Sequence, residues 1–287
     1  MSVLNPWQAA GLSGVMRPGA NQGVVIYVNG TTGADTNDGR TVDQPVATIT
    51  AALAFCDNAH QDYIIVLDYW QPAGETWPVN VNVENVSIVG AGYAGHPWVH
   101  MSPVGDNASL NITAQQVDIS YLMPDGGGTS PGIEISGLVM GVSIHHCQFG
   151  TQYAAQDGIR VTGDNPAGWY YNNQFGRLLT RSGVRFTGGG TFCRVENNQF
   201  YGPQDVQIYG NTIQHTVIRN NFFAMHADVA GSAITLTAGT AGNFVDGNSA
   251  CWGETAVAHN NPYLDQAAAD VNYWGHNYWN ETTTVPG

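Results

Sequence analysis

Three charged side chains have the chemistry needed to cleave a glycosidic bond. Glu196 lies in the phrase VENNQF, Arg219 lies in the related phrase VIRNNFF, and Asp157 lies in QDGIRVTGDN. Enzymes that hydrolyse polysaccharides use two carboxyl groups about 5 to 9.5 Å apart, one protonated and one ionised. If the chain is an enzyme, Glu196 and Asp157 are the predicted carboxyl pair, and Arg219 is their predicted cationic partner.

Aromatic residues suggest a second chemistry, which is the binding of sugar rings. Aromatic residues make up 10% of the chain, and they cluster as WYY at 169–171 and as YW at 273–274 and 278–279. The candidate sugar platforms are Trp169, Tyr171, Trp274 and Trp279. The same side chains would also suit stacked columns, a lid on the C-terminal end, or a contact between subunits.

The remaining polar groups do not form a metal-binding pattern. The loop GADTNDG contains Asp35 and Asp38 but lacks the downstream glutamate of a calcium loop, so we interpret it as an Asx-turn. The histidines and the four cysteines lack zinc-ligand spacing. We therefore expect no metal and no cofactor.

Composition narrows the class of partner. The chain has 287 residues, a formal net charge of -14, and eight basic residues that are all arginine. An acidic surface repels phosphate backbones, so nucleic acid is not an expected partner. No stretch approaches the ~18 apolar residues of a membrane span, and residues 1–22 lack a secretory-signal pattern. We expect no membrane insertion and synthesis in a cytoplasm.

A repeated phrase shows how these residues are positioned. Its copies end at Phe149, Phe175, Phe200 and Phe223, with spacings of 26, 25 and 23 residues. A short β-branched or aromatic segment precedes each copy. Such a period is too short for helical repeats, which need about 33 to 47 residues, and for propeller blades. It predicts an all-β parallel β-helix of about seven to eight coils, with strands stacked ~4.8 Å apart.

In such a stack, equivalent residues of successive coils lie directly above one another. Asparagine tolerates the left-handed backbone of a tight turn, and stacked amides hydrogen-bond as a ladder. Stacked aromatic rings fill the core in the same way. The predicted structural ladder comprises Asn173, Asn198 and Asn221, beside a buried column of Phe149, Phe175, Phe200 and Phe223.

The stacking also tests the proposed catalytic pair. The exposed column before the asparagine turn reads His145, Tyr171, Glu196, Arg219 and Val245. The next column ends in Asp246, so each column contains a single carboxylate. Glu196 and Arg219 would then form a surface ion pair about 5 Å apart across a coil. Asp157 and Asp164 would bracket a strand as turn residues. We therefore expect no catalytic site.

The N-terminal part of the repeat region supplies a cap and a family resemblance. Apolar spacing from Pro45 to His60, with Thr48 as N-cap, predicts a capping helix near 46–58, and an aromatic cap is expected near 271–280. The stretch from Tyr27 to Leu53 reads as a strand, then G-x-D-x-x-D-G, then P-x-x-T-I-x-x-A. The pattern consists of Gly33, Asp35, Asp38, Gly39, Pro45, Thr48, Ile49 and Ala52. It resembles the start of pectin-lyase-like right-handed β-helix proteins of the phage tailspike and virion type.

The resemblance implies a right-handed coil, one domain over residues 24–287, and trimeric assembly by analogy. The superfamily includes pectate lyases, polygalacturonases, tailspike depolymerases and non-catalytic virion proteins. Its hydrolases present two or three acids on adjacent coils, and its lyases place a calcium cage beside an arginine or lysine base. This sequence contains no lysine and no predicted pair of stacked acids.

Residues 1–23 precede the first predicted strand and carry isolated apolar side chains, among them Leu4, Trp7, Leu12 and Met16. We interpret them as an arm that docks on another protein, with simple disorder as the alternative. The prediction is a non-enzymatic bacteriophage virion protein, either a capsid decoration or a small tail spike, anchored by this arm and also binding host surface glycans. The alternative is a polysaccharide-degrading tailspike, including one whose site is shared between subunits.

Overall fold

The fold is a parallel β-helix. A computed structural model describes residues 22–58, 60–92, 98–152, 154–201, 205–225, 231–252, 262–267 and 271–279. Strands of successive coils pair in parallel and stack into three long sheets over about seven coils, which confirms the predicted fold class. Among the described residues, no helix is long and apolar enough to cross a membrane.

From β10 to β26, each coil contributes one strand to each of the three sheets. Among the described residues, sheet 1 has ten strands: β1 (Gln22–Asn29), β2 (Gln61–Asp68), β4 (Val86–Gly90), β7 (Asp118–Ser120), β10 (Ser143–His145), β13 (Trp169–Tyr171), β17 (Arg194–Glu196), β21 (Val217–Arg219), β24 (Phe244–Asp246) and β27 (Tyr273–Trp274). In the same described ranges, sheet 2 has eight strands: β3 (Val79–Val81), β6 (Leu110–Ile112), β9 (Ile133–Ile135), β12 (Ala155–Val161), β15 (Leu179–Phe186), β19 (Val206–Gly210), β23 (Ser232–Leu236) and β26 (Tyr263–Asp265).

Sheet 3 follows the asparagine turn. In the part of the chain that the structure describes, its strands are β11 (Gln148–Phe149), β14 (Gln174–Phe175), β18 (Gln199–Phe200), β22 (Phe222–Met225), β25 (Ser249–Trp252) and β28 (Tyr278–Trp279). Two further parallel pairs are β5 (Val99–Met101) with β8 (Leu122–Pro124), and β16 (Gly190–Thr191) with β20 (Ile213–Gln214). In the three-residue strands of sheet 1 from β10 to β24, the middle side chain points into the core and its two neighbours point outward.

The two asparagines of the repeated phrase have different roles. The first one, at Asn172 and Asn197, adopts the left-handed backbone with φ of 55° and 56°. The second one points inward, where the Asn173 side chain donates to Asn198 Oδ1 at 3.1 Å and Asn198 donates to Asn221 Oδ1 at 3.0 Å. The turn and the ladder are therefore built by adjacent residues, whereas the sequence argument gave both roles to the second one.

The phenylalanine column fills the core beside this ladder. Phe149, Phe175, Phe200 and Phe223 are fully buried, and successive ring centroids lie 5.0, 4.6 and 4.8 Å apart. Sheet 2 makes room for the rings with glycines, since a Cβ added at Gly183 would lie 2.4 Å from Phe200. Because protein interiors are close-packed, the rings fill the space that side chains at these glycines would occupy.

The N-terminal coil is covered by a helix shorter than predicted. Helix α1 spans Ile49–Leu53 rather than 46–58, and Thr48 caps it by accepting from the Ala51 N–H at 3.0 Å. Asp35 accepts hydrogen bonds from the Ala47 and Thr48 N–H groups, both at 2.9 Å. Asp35 of the family-like motif therefore holds the segment before the helix through contacts that are distant in sequence. The Asx-type contact predicted for this loop is made by Asp38 instead, whose Oδ1 accepts from the Arg40 N–H at 3.0 Å.

The predictions for the two chain ends meet the structure only in part. The proposed arm, with Leu4, Trp7, Leu12 and Met16, lies outside the described residues. The predicted aromatic cap near 271–280 corresponds to β27 and β28, which extend sheets 1 and 3 by one further strand each.

Candidate carbohydrate-binding face

One outward column of sheet 1 is rich in exposed rings. Strand pairing stacks Trp169, Arg194, Val217, Phe244 and Tyr273 in consecutive strands. Trp169, Phe244 and Tyr273 are 40%, 39% and 58% exposed. At ~4.8 Å per strand, about 14 Å separates the first ring from the second. We call this column, Trp169 to Tyr273, the aromatic face.

The rings of the aromatic face are held in place by their neighbours. Trp169 stacks on Tyr171 with centroids 4.2 Å apart, and Phe244 stacks on Tyr273 at 4.9 Å. The Arg194 guanidinium lies 5.9 Å from the Trp169 ring. Because each ring is braced on one side, its exposed part is a fixed apolar platform next to polar donors.

A shallow cleft lies at the C-terminal end of the aromatic face. Its volume is about 410 Å³, and it opens beside Phe244 and Tyr273. The rest of its lining comes from Gly242, Asn243, Val271 and Asn272. On the adjacent sheet 3, Phe222 and Tyr278 are also 40% and 63% exposed. The last coils therefore carry exposed rings on both sides of the asparagine turn.

The second outward column of sheet 1 contains the predicted acid Glu196. The column runs Tyr171, Glu196, Arg219 and Asp246. Asp246, not Val245, follows Arg219, because Gly247 takes the left-handed turn position in the last copy of the phrase and Asn248 continues the ladder. The sequence alignment of that copy was wrong by one residue. Two carboxylates therefore flank one arginine in this column.

The predicted ion pair between Glu196 and Arg219 is present, but the carboxylate is buried rather than at the surface. Its side chain is only 4% exposed, and the Arg219 Nε lies 2.8 Å from Oε1, in contact but without hydrogen-bond alignment. The Trp169 Nε1–H donates to the other carboxylate oxygen at 3.2 Å. The carboxylate therefore links the aromatic face to Arg219 and fixes the orientation of the tryptophan ring.

Asp157 lies elsewhere. It sits inside strand β12 of sheet 2, fully buried, and it pairs with Arg160 and Arg181. The prediction that it is a turn residue is wrong, because this strand begins at Ala155. Glu196 belongs to sheet 1, so the predicted carboxyl pair is divided between two sheets.

The remaining sugar-platform candidates have different surroundings. Trp274 is partly buried against the core, in the inward column after Val245, and its Nε1–H donates to Asp265 at 2.7 Å. The side chain of Trp279 lies outside the described part of the chain. Sequence reasoning missed Phe244 as a platform, although its place directly before Val245 in the strand pattern indicates an outward side chain.

A histidine pair adjoins the aromatic face. His145 Nδ1 lies 2.8 Å from His146 Nδ1, and His145 Nε2 lies 3.1 Å from Asp118 Oδ1. The His145 ring also stacks on Tyr171 at 4.7 Å. Burial, followed by the neighbouring His145, lowers the pKa of His146 below its ordinary value. In the described part of the chain, no three His, Cys, Asp or Glu side chains are placed to hold a metal ion.

Comparison with known proteins yields solved structures only. No family model and no curated protein matches the sequence. A lacto-N-biosidase of family GH136 from Eubacterium ramulus is 12% identical over 89% of this chain and 67% of its own, with a TM-score of 0.37. A rhamnogalacturonan lyase is 13% identical over 89% and 87%, with a TM-score of 0.44. The Dettilon tailspike protein is 12% identical over 89% and 68%, with a TM-score of 0.33.

Proposed function

We propose that this chain is a glycan-binding parallel β-helix and that the aromatic face is its binding surface. The observation that carries the proposal is the alignment of exposed Trp169, Phe244 and Tyr273 in one column of sheet 1. Exposed apolar side chains that are grouped on one face mark a site of interaction.

A polysaccharide would lie along the axis of the rod. The apolar faces of its sugar rings would pack on Trp169 and on Phe244, about three strands apart. Arg194 lies between these platforms in the same column, and Arg219 and Asp246 lie in the neighbouring column, so all three are placed to hydrogen-bond sugar hydroxyl groups. A few convergent polar groups around apolar platforms are typical of a ligand site.

Single-ring variants test this function directly. Trp169→Ala and Phe244→Ala should each weaken binding to purified host capsule or lipopolysaccharide roughly tenfold, since one stacked ring contributes about 1 kcal/mol or more. Phe55→Ala is the matched control, because Phe55 is 40% exposed and follows helix α1. Binding is measured by calorimetry, with circular dichroism to verify folding. Equal binding by all four proteins would contradict the proposal.

For the biological setting, we propose an exposed component of a bacteriophage particle, as a capsid decoration or small tail spike. The strongly acidic charge, the absence of lysine and the apolar residues before β1 support this setting. Mass spectrometry of intact virions should find the chain at high copy number. A chain that is absent from purified particles but secreted in soluble form would contradict it.

Polysaccharide hydrolysis is the second candidate, because the structure places Asp246 in the column of Glu196. Strand β21 lies between them, so two strand spacings, or about 10 Å, separate their Cα atoms. In an inverting pair, the two carboxyl groups lie about 6.5–9.5 Å apart; one protonates the leaving group and the other activates water. The contacts of Glu196 with Arg219 and Trp169 nevertheless commit its carboxylate to a structural role.

Release of reducing ends from the same polysaccharide tests this alternative. If the chain only binds glycans, the wild-type protein and the variants Glu196→Gln and Asp246→Asn should all give a reducing-end signal at background level. Asp164→Asn is the matched control, since Asp164 is exposed and lies outside both columns. Activity that is lost in the first two variants and retained in the control would establish the hydrolase.

A further inference from the structure

Sheet 2 carries a concentration of positive charge on an acidic protein. Five of the eight arginines lie between residues 160 and 194, although the formal net charge of the chain is -14. Three of them, Arg160, Arg181 and Arg185, belong to the neighbouring strands β12 and β15. In the outward column of this sheet, Arg160 and Arg185 occupy adjacent positions, followed by Tyr209.

A buried carboxylate organises the first two arginines. Asp157 Oδ2 accepts from Arg160 Nε at 2.7 Å, and Oδ1 accepts from Arg181 Nε at 2.9 Å, with a second contact from the Arg181 terminal amino group. Arg160 also donates to Thr129 O and to Gln156 Oε1. The donors of Arg160 are therefore well used, whereas the bonds of Arg181 to described side chains involve only one edge of its guanidinium.

Arg185 is positioned but incompletely bonded. Its guanidinium lies 3.9 Å over the Tyr209 ring, and one amino group makes a long contact of 3.4 Å with Ser182. Its Nε is buried and has no hydrogen-bond partner among the described residues. A buried donor without an acceptor costs about 1–3 kcal/mol, so such a group needs an explanation.

The electrostatic surroundings of Arg185 contain charges of both signs. Burial, followed by repulsion from Arg181, lowers the pKa of Arg185, while Asp157, Tyr209 and Asp205 oppose this shift. Asp157 is shared with two other arginines. Glu134, one strand before Arg160 in the outward column, accepts from Thr162 instead.

We propose that Arg181 and Arg185 form an oxyanion site on sheet 2 for the carboxylate or sulfate group of an acidic polysaccharide. The guanidinium is planar and presents paired N–H donors that match the two oxygens of such groups. Asp157 holds one guanidinium and Tyr209 holds the other, so little side-chain freedom is lost on binding. The identification of the ligand as a sugar acid rests on the proposed function, whereas the oxyanion site itself does not.

The site is tested by titration with dextran sulfate, with alginate as a uronate polymer, and with neutral dextran, at fixed ionic strength. Arg185→Gln should weaken binding of the charged polymer roughly tenfold, because a charge-assisted hydrogen bond is lost. Arg177→Gln is the matched control, since Arg177 is exposed and lies outside β12 and β15. Arg185→Lys should restore only part of the affinity, because it keeps the charge and loses the fork.

Each outcome decides between the two proposals. Weaker binding in Arg185→Gln, with Arg177→Gln unchanged, supports the site, and comparison of the two charged polymers shows whether it prefers sulfate or carboxylate. Equal losses in both variants would indicate non-specific charge attraction and would overturn it. If binding of the charged polymers depends on Trp169 but not on Arg185, the result would support the aromatic face as the binding surface and would contradict the oxyanion site.

Discussion

Two neighbouring asparagines of the repeated phrase have different roles: one forms the backbone turn and the other forms buried hydrogen bonds. Asn197 provides the left-handed turn, with φ of 56°, and Asn198 provides the buried amide. Asn198 Oδ1 accepts from the Asn173 N–H at 2.9 Å, and its amino group donates to Tyr170 O at 2.9 Å. Replacement of asparagine is therefore expected to lower the free energy of unfolding by different amounts at these two adjacent positions.

We expect Asn198→Ala to lower the free energy of unfolding by roughly 3 kcal/mol or more, because it leaves a buried N–H and a buried carbonyl without partners. Asn197→Gly should change it by less than about 1 kcal/mol, since glycine adopts the left-handed backbone without strain. Equilibrium urea unfolding measures both. Similar losses in the two variants would contradict the division of roles.

The histidine pair predicts a pH effect on stability. The pKa of His146 is lowered from 6.5 chiefly by burial. As the pH falls through about 6.5, the unfolded chain therefore takes up a proton before the folded one, and the free energy of unfolding decreases. The decrease ends once the pH is below the folded-state pKa. Urea unfolding at a series of pH values between 8 and 5 measures the effect.

His146→Asn should remove this component of the pH dependence. Asparagine fits the site, because His146 has φ of 53° and the next three coils place asparagine at the equivalent turn. His215→Asn is the matched control at the opposite corner, where φ is 51°. A pH profile that is unchanged in His146→Asn, or altered equally in both variants, would remove His146 as the cause.

At the scale of the elements, close packing between sheets limits which substitutions a strand tolerates. Gly183 of β15 faces two rings of sheet 3, and an added Cβ would lie 2.4 Å from Phe200 and 3.0 Å from Phe175. We expect Gly183→Ala to destabilise the fold by about 1–3 kcal/mol through overpacking. The double variant Gly183→Ala with Phe200→Leu should recover part of this loss. Additive losses in a double-mutant cycle would show that the ring and the glycine do not interact.

The sequence was sufficient to predict the repeating coil, but it was not sufficient to predict how residues of different sheets lie relative to one another. The repeat fixes which residues are neighbours within a sheet, so the column of Phe175 and Phe200 could be predicted. It does not show which sheet a strand joins, so Glu196 and Asp157 could not be separated. The last copy has lost its phenylalanine, and without that marker the register of Asp246 was ambiguous by one residue.

At the scale of the whole molecule, the stacking of coils sets the distances between the side chains proposed to bind a ligand. Every coil adds one position to each outward column, so the spacing of Trp169 and Phe244 is set by backbone pairing rather than by loops. Side chains that bind a ligand are held more rigidly on strands than on loops. The aromatic face and the oxyanion site lie on different sheets of this scaffold, and their ligand contacts are therefore separable by mutation.

The same separation applies to the proposed anchor. Strand β1 begins at Gln22 and pairs with β2, and α1 covers the first coil. Deletion of residues 1–21 should therefore change Tm by less than about 2 °C and leave glycan affinity intact, while association with phage particles is lost. Thermal unfolding, calorimetry and co-sedimentation with particles measure the three properties.

A milder variant separates a specific anchor from a mere spacer. Trp7→Ala combined with Leu12→Ala keeps the length of the arm but removes two of its apolar side chains, so particle association should fall nearly as far as in the deletion. Replacement of Ser2 and Ser13 by alanine is the control for two changes in the same segment. If both double variants and the deletion remain on particles at the wild-type copy number, the anchor lies on the solenoid itself.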